Sequence, residues 1–192
     1  SQVYTDDKGH VTVDEAIIEA LVASDRIYII AAGTSYNAGF ASKYLLEELT
    51  EKPVELGISS EWGYNMPRLS KNPFFIFLSQ SGETADSRQV LVKANELGIP
   101  CLTVTNVPGS TLSREASFTM LLHAGPEIAV ASTKAYTAQI AALAFLGKAV
   151  GLKIDNKKAI DFDVVHELSL VAQSIEATLS EKELIENKVA GL

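Results

Sequence analysis

The residues best suited to chemistry in this 192-residue chain stand in one run, Ser79-Gln80-Ser81-Gly82-Glu83-Thr84. The run follows the apolar stretch Phe74 to Leu78 and opens a segment with helical spacing that ends near Leu97. The first turn of a helix leaves backbone N–H groups unpaired at the positive end of the helix dipole, which makes such a place an anion site. The hydroxyls of Ser79, Ser81 and Thr84 add donors, and Gly82 lets a ligand approach the backbone closely. The run therefore reads as a phosphate cradle. The same six residues also suit an ordinary helix start, because Ser and Thr are common N-caps and Gly is common in tight turns. It is not the nucleoside triphosphate loop, since no lysine follows the glycine, nor the dinucleotide fingerprint with its three spaced glycines. A cradle without lysine suits one terminal phosphate on a small polar molecule. Glu83 and Asp86 would repel that phosphate and are expected to point away.

The elements that must position this run follow from hydrophobic patterning. Strands are predicted at Arg26–Ala31, Pro53–Ile58, Phe74–Leu78, Cys101–Thr105 and Phe118–Leu122. The first of these is continuously apolar after Arg26, as expected for a parallel strand covered on both faces. Helical spacing is predicted after a Gly33-Thr34-Ser35 loop through Phe40, Tyr44, Leu45 and Leu49, and again through Val90, Leu91, Ala94 and Leu97 up to Gly98. A third helix, apolar nearly all round and expected to be buried, opens at Val130-Ala131-Ser132-Thr133-Lys134 and runs to about Val150. Before the first strand, Thr12 and Glu15 match a capping box, with Ile17 and Leu21 following on one face. Residues 1–9 carry little pattern, and Trp62 to Asn72 reads as irregular. The alternation implies an α/β fold with a mostly parallel sheet and helices on both faces, in which ligands bind outside the carboxyl ends of the strands. Gly33 to Ser35, Ser79 to Thr84 and Val130 to Thr133 all fall on that edge.

Composition bounds the rest. A net charge of −8 without a basic cluster argues against a nucleic-acid surface. The single cysteine, Cys101 in an apolar run, excludes a disulfide framework and reads as a small buried hydrophobe. No run approaches about 20 unbroken apolar residues, and the N-terminus is polar, so no membrane association and a cytoplasmic location are expected. No His/Cys/carboxylate group has ligand spacing, so no metal is expected. Three units are predicted: a tail and short helix over residues 1–25, a ligand-binding domain over 26–151, and a linker helix within 152–192 that carries Val165, Leu168, Val171, Ala172, Ile175 and Leu179 on one face. That stripe suits closing this domain, docking on a further one, which is the preferred reading, or self-association.

Four stretches carry a resemblance: Gly33-Thr34-Ser35-Tyr36-Asn37-Ala38-Gly39, Ser79 to Asp86, Asn106-Val107-Pro108-Gly109-Ser110, and Glu127 to Ala135. Together they resemble the sugar isomerase (SIS) domain family, and within it the isomerase half of the enzymes that make glucosamine 6-phosphate from fructose 6-phosphate and glutamine. The resemblance implies a three-layer α/β sandwich around a five-stranded parallel sheet, the SIS fold, with no cofactor. It implies that Ser35, Ser79, Gln80, Ser81 and Thr84 hold the phosphate, while Thr34, the Val130 backbone and the Ser132 hydroxyl lie against the sugar. The ligand would be fructose 6-phosphate or glucosamine 6-phosphate, and a homodimer is expected. Ala32 stands where the family commonly has cysteine. Family members also carry a glutaminase domain and a second SIS repeat, to which the proton-transferring glutamate and the ring-opening histidine belong. His10, His123 and His166 match neither role, so no catalytic residue is assigned in this chain. Glu83 and Glu127 are expected to serve helix N-termini, and Lys134 either offsets ligand charge, pairs with a neighbouring subunit or is simply solvated. Two alternatives stay open: a stand-alone phosphosugar isomerase and a non-catalytic sugar-phosphate sensor.

Overall fold

The computed structural model describes residues 3–5, 11–127 and 132–190. The chain divides into two compact units, Ser1–Asp161 and Phe162–Leu192. In the first, a hairpin of β1 (Val3–Thr5) and β2 (Val11–Val13) precedes α1 (Glu15–Ala23). Then follow β3 (Arg26–Ala31), α2 (Gly33–Thr50), β4 (Val54–Ile58), α3 (Ser59–Tyr64) and β5 (Pro73–Leu78). The unit is completed by α4 (Ala85–Glu96), β6 (Cys101–Thr105), α5 (Thr111–Glu115), β7 (Phe118–Leu121), α6 (Lys134–Lys153) and α7 (Lys157–Asp161). The five strands β3 to β7 form one all-parallel sheet in the order β4-β3-β5-β6-β7.

Strand alternation sorts the core into two layers. Ile27, Ile29, Phe74, Ile76, Leu78, Leu102 and Val104 join Ile17 and Leu21 of α1, Leu46 of α2, and Leu143 and Leu146 of α6 in one cluster. Tyr28, Ile30, Phe75, Phe77 and Cys101 face the other way, onto Trp62 of α3, Val90 and Leu91 of α4 and Leu112 of α5. The sheet is thus the middle layer of three, which is why its central strands read as continuous apolar runs. Tyr28, Trp62 and Phe75 form a tilted aromatic trio with centroids 5.2–6.0 Å apart. Burial drives the Cys101 thiol up to about 12, so it stays protonated, and its Sγ donates to the Ile99 carbonyl.

The structure departs from the sequence reading in several places. Gly33 to Ser35 is not a loop but the first turn of α2, with Gly33 at φ +56°. Thr12 lies in β2 and Asp14 caps α1 instead, its Oδ1 accepting from the Ala16 N–H at 2.9 Å. Part of the expected irregular stretch is helix α3, whose Trp62 is held by the aromatic trio. The polar connection after Gly151 stays folded: Asn156 Nδ2 donates to the Glu48 carbonyl at 2.9 Å, and Gly151 lies so near α2 that a Cβ there would be 2.5 Å from the Leu49 oxygen.

Helix α6 begins at Lys134, later than expected, and its Leu143, Leu146 and Val150 are at most 1% exposed. Among the described residues it is the one helix long and apolar enough to cross a membrane, a test that the core helix of a layered domain also passes. In the second unit, α8 (Val164–Ser180) is capped by Asp163, whose Oδ1 accepts from the His166 N–H at 3.0 Å, and α9 (Lys182–Val189) follows. Val165, Val171, Ile175 and Leu179 are exposed along α8.

Candidate functional site

Register decides where the polar loops meet. Ala31 pairs with both Ile58 and Leu78, Leu78 with Val104, and Thr105 with Leu121, so all five strands end at one level. The chain order reverses between β3 and β5, the crevice where sheets of this winding bind ligands. Two helices start there, α2 directly after β3 and α4 after the loop that follows β5. Neither N-cap, Ala32 or Thr84, makes a side-chain cap hydrogen bond, so the first-turn N–H groups of both helices lack that partner.

The loop after β5 is shaped by its own hydroxyls. Ser79 Oγ accepts from the Gly82 N–H at 3.0 Å and lies 2.9 Å from Thr84 Oγ1, and the Glu83 N–H donates to Ser81 Oγ at 3.2 Å. Gly82 adopts φ +66°, a left-handed turn that glycine takes without strain. The main chain of Gln80 is tied to the next strand, its carbonyl accepting from the Asn106 N–H at 3.0 Å and Thr105 Oγ1 at 3.2 Å. Ser79 is buried, while Gln80, Ser81 and Thr84 are partly exposed, a cup with a fixed floor and an open rim.

The carboxylates on these loops are occupied. Glu83 turns away from the cup: its Oε1 accepts from the Thr111 N–H at 2.8 Å, at the start of α5. Hydrogen bonds from the Thr111 side chain and backbone, with Arg114 nearby, hold its carboxyl below the usual carboxylate value. Glu127 accepts from the N–H groups of Ala135 and Thr133 at 3.1 and 3.3 Å and from Thr133 Oγ1 at 3.1 Å. It therefore caps α6, and the Ala135 N–H is the main cause of its lowered pKa. Stability from both groups is fully present above their unfolded value and is lost as pH falls through the depressed folded value. Thermal unfolding followed from pH 7 to pH 3 is expected to show a fall in melting temperature at the acid end. Glu83→Gln and Glu127→Gln are each expected to lower the melting temperature at neutral pH and to flatten that fall.

The predicted residues are distributed as follows. Thr34 is partly exposed and Ser35 buried, both in the first turn of α2, and Ser132 is partly exposed just before α6. Val130 lies outside the described residues, as does His10. His123, exposed at φ +51°, borders a hollow of about 550 Å³ that Gln80, Asn106 and Glu127 also line. Sequence reasoning missed Gln139, on α6, whose Nε2–H donates to Ser35 Oγ at 2.9 Å. Its signal was present as the one polar residue between Ala138 and Leu146. Ser110, which the sequence analysis named only within a stretch of resemblance, packs its side chain beneath Gly82, and its Oγ has no hydrogen-bond partner among the described residues.

Fold and site together define a doubly wound parallel α/β domain with a hydroxyl-lined ligand edge at its switch point. Residues 20–149 match the SIS domain family, and the chain belongs to that family. It is 78% identical over 191 residues to a glutamine–fructose-6-phosphate aminotransferase (isomerizing) of Streptococcus pneumoniae, and 74% identical over 189 residues to that of Streptococcus mutans. These alignments take in 100% and 98% of this chain but 32% and 31% of the relatives, so the chain spans about a third of their length. Among solved structures, the C-terminal domain of glucosamine-fructose-6-phosphate aminotransferase from Francisella tularensis superposes with a TM-score of 0.84 at 32% identity. That superposition covers 93% of this chain and 51% of the other.

Proposed function

We propose that this chain is the sugar-phosphate-binding half of the isomerase domain of a glutamine–fructose-6-phosphate aminotransferase, and that it holds fructose 6-phosphate, or the product glucosamine 6-phosphate, by the terminal phosphate. The observation that carries the reading is the convergence of two side-chain-uncapped helix starts and the Ser79–Thr84 hydroxyl cup on one switch point. Ser35, Ser79, Gln80, Ser81 and Thr84 take the phosphate in this reading, and Thr34, Ser132 and the Val130 backbone take the sugar. Residues 152–192 lead towards a second SIS domain, the glutaminase domain supplies ammonia, and two copies associate in the cytoplasm.

The chemistry sets a division of labour. Ammonia adds to the C2 carbonyl of fructose 6-phosphate and water leaves to give an imine; a base then moves a proton from C1 to C2, which leaves the aldehyde at C1, and for this it must lie within hydrogen-bond reach. Glu83 and Glu127 are both committed to helix starts, which supports a base supplied from outside this chain. The same occupancy weighs against a stand-alone isomerase. The isolated chain is expected to bind fructose 6-phosphate while forming no glucosamine 6-phosphate from glutamine or ammonia. A coupled assay for glucosamine 6-phosphate checks this, and measurable product from the purified chain would contradict the division.

A further inference from the structure

The Gln139 side chain is 1% exposed, deep in the interface between α6 and α2. Its Nε2–H donates to Ser35 Oγ at 2.9 Å, and its Oε1 is buried with no hydrogen-bond partner among the described residues. An orphaned buried acceptor is costly, and an apolar side chain of similar length would avoid that cost. What the apolar side chain could not supply is the N–H. A serine hydroxyl has two acceptor lone pairs and one hydrogen. With the glutamine amide donating into one lone pair, Ser35 has no need to spend its own hydrogen inward. That hydrogen remains available for an anion beside the uncapped first turn of α2. A carbonyl facing Ser35 would do the reverse and consume the hydrogen.

We infer that Gln139 is a positioning residue for the sugar-phosphate site, acting by fixing the Ser35 hydroxyl as a donor to the ligand phosphate. The inference rests on the site reading proposed above. It is tested by titration calorimetry of fructose 6-phosphate into the 192-residue chain, comparing wild type, Gln139→Met, Ser35→Ala and the double variant. Methionine keeps the length and volume of the side chain and removes its donor.

Gln139→Met is expected to weaken binding about three- to tenfold, less than the loss in Ser35→Ala, because it disorders a donor rather than deleting it. Added to Ser35→Ala, Gln139→Met is expected to change affinity no further, since the group it acts through is gone. A merely structural role would repeat its loss in the Ser35→Ala background. Equal affinity in wild type and Gln139→Met, or fully additive losses, overturns the inference while a weakened Ser35→Ala leaves the site reading intact. Absence of binding by wild type, or unchanged affinity in Ser35→Ala, overturns both. Should Gln139→Met not fold, Gln139→Leu carries the same comparison.

Discussion

Replacing Gly82 with alanine is expected to lower the melting temperature by roughly 5–15 °C and to abolish measurable sugar-phosphate binding. Two costs add. At φ +66° an L side chain pays about 1–2 kcal/mol for the left-handed backbone. The added Cβ would also sit 2.5 Å from Ser110 Cβ and 2.9 Å from Thr105 Oγ1, and closer still to Ser110 Oγ. Ser110 is 2% exposed and cannot swing aside, so overpacking contributes about another 1–3 kcal/mol. The loop that would have to move carries Ser79, Ser81 and Thr84, which is why binding falls with stability. Gly98 is the control: it has φ +70° but open space around the Cβ position, and it ends α4 away from the switch point. Gly98→Ala is expected to show the backbone cost alone and to leave affinity unchanged. Equal melting temperatures and equal affinities for the two variants would mean that the contact with Ser110 has no consequence.

The second large effect is on affinity. Hydrogen bonds to a charged group contribute roughly 1.5–3 kcal/mol each, so Thr84→Val and Ser81→Ala are each expected to weaken fructose 6-phosphate binding about tenfold or more. Thr84→Val keeps the shape of the side chain, but it also removes one of the partners of Ser79 Oγ, 2.9 Å away. It is therefore expected to be the more damaging of the two. Ser81 has a lighter structural duty, since among the described residues its Oγ accepts from the exposed Glu83 N–H alone. Its loss should register in binding with little change in melting temperature. Unchanged affinity in both variants, measured by calorimetry, would remove the loop from the site.

How much was legible depended on whether the cause was local. The five strands of the parallel sheet were readable within a residue or so, most clearly the central β3, β5 and β6, which are short apolar runs buried along almost their whole length, and the sheet followed from their alternation with helices. The start of α2 was not readable. Ala32 offers no capping side chain, and a glycine at positive φ looks like a loop until the turn after it is seen. Helix α3 is only six residues long, too short to show a period, and it is anchored by contacts of Trp62 with Tyr28 and Phe75 on other elements. The cap on α6 comes from Glu127, several residues ahead of Lys134, so spacing placed that helix too early. The hydroxyl cup was visible as a motif because its donors and acceptors lie within six residues. The Gln139–Ser35 bond joins positions 104 residues apart, so a lone polar residue in the apolar run of α6 marked Gln139 without naming its partner.

The central claim is that hydroxyl-bearing loops far apart in sequence grip one terminal phosphate at the carboxyl edge of the sheet. The most direct measurement is a crystal structure of the chain with fructose 6-phosphate bound. The phosphate is expected at the start of α4, within hydrogen-bond distance of Ser81 and Thr84 and facing Ser35 across the β3–β5 crevice. A phosphate found instead at the opposite edge, in the hollow of about 440 Å³ that Ser70, Lys71 and Gly98 line, would contradict it.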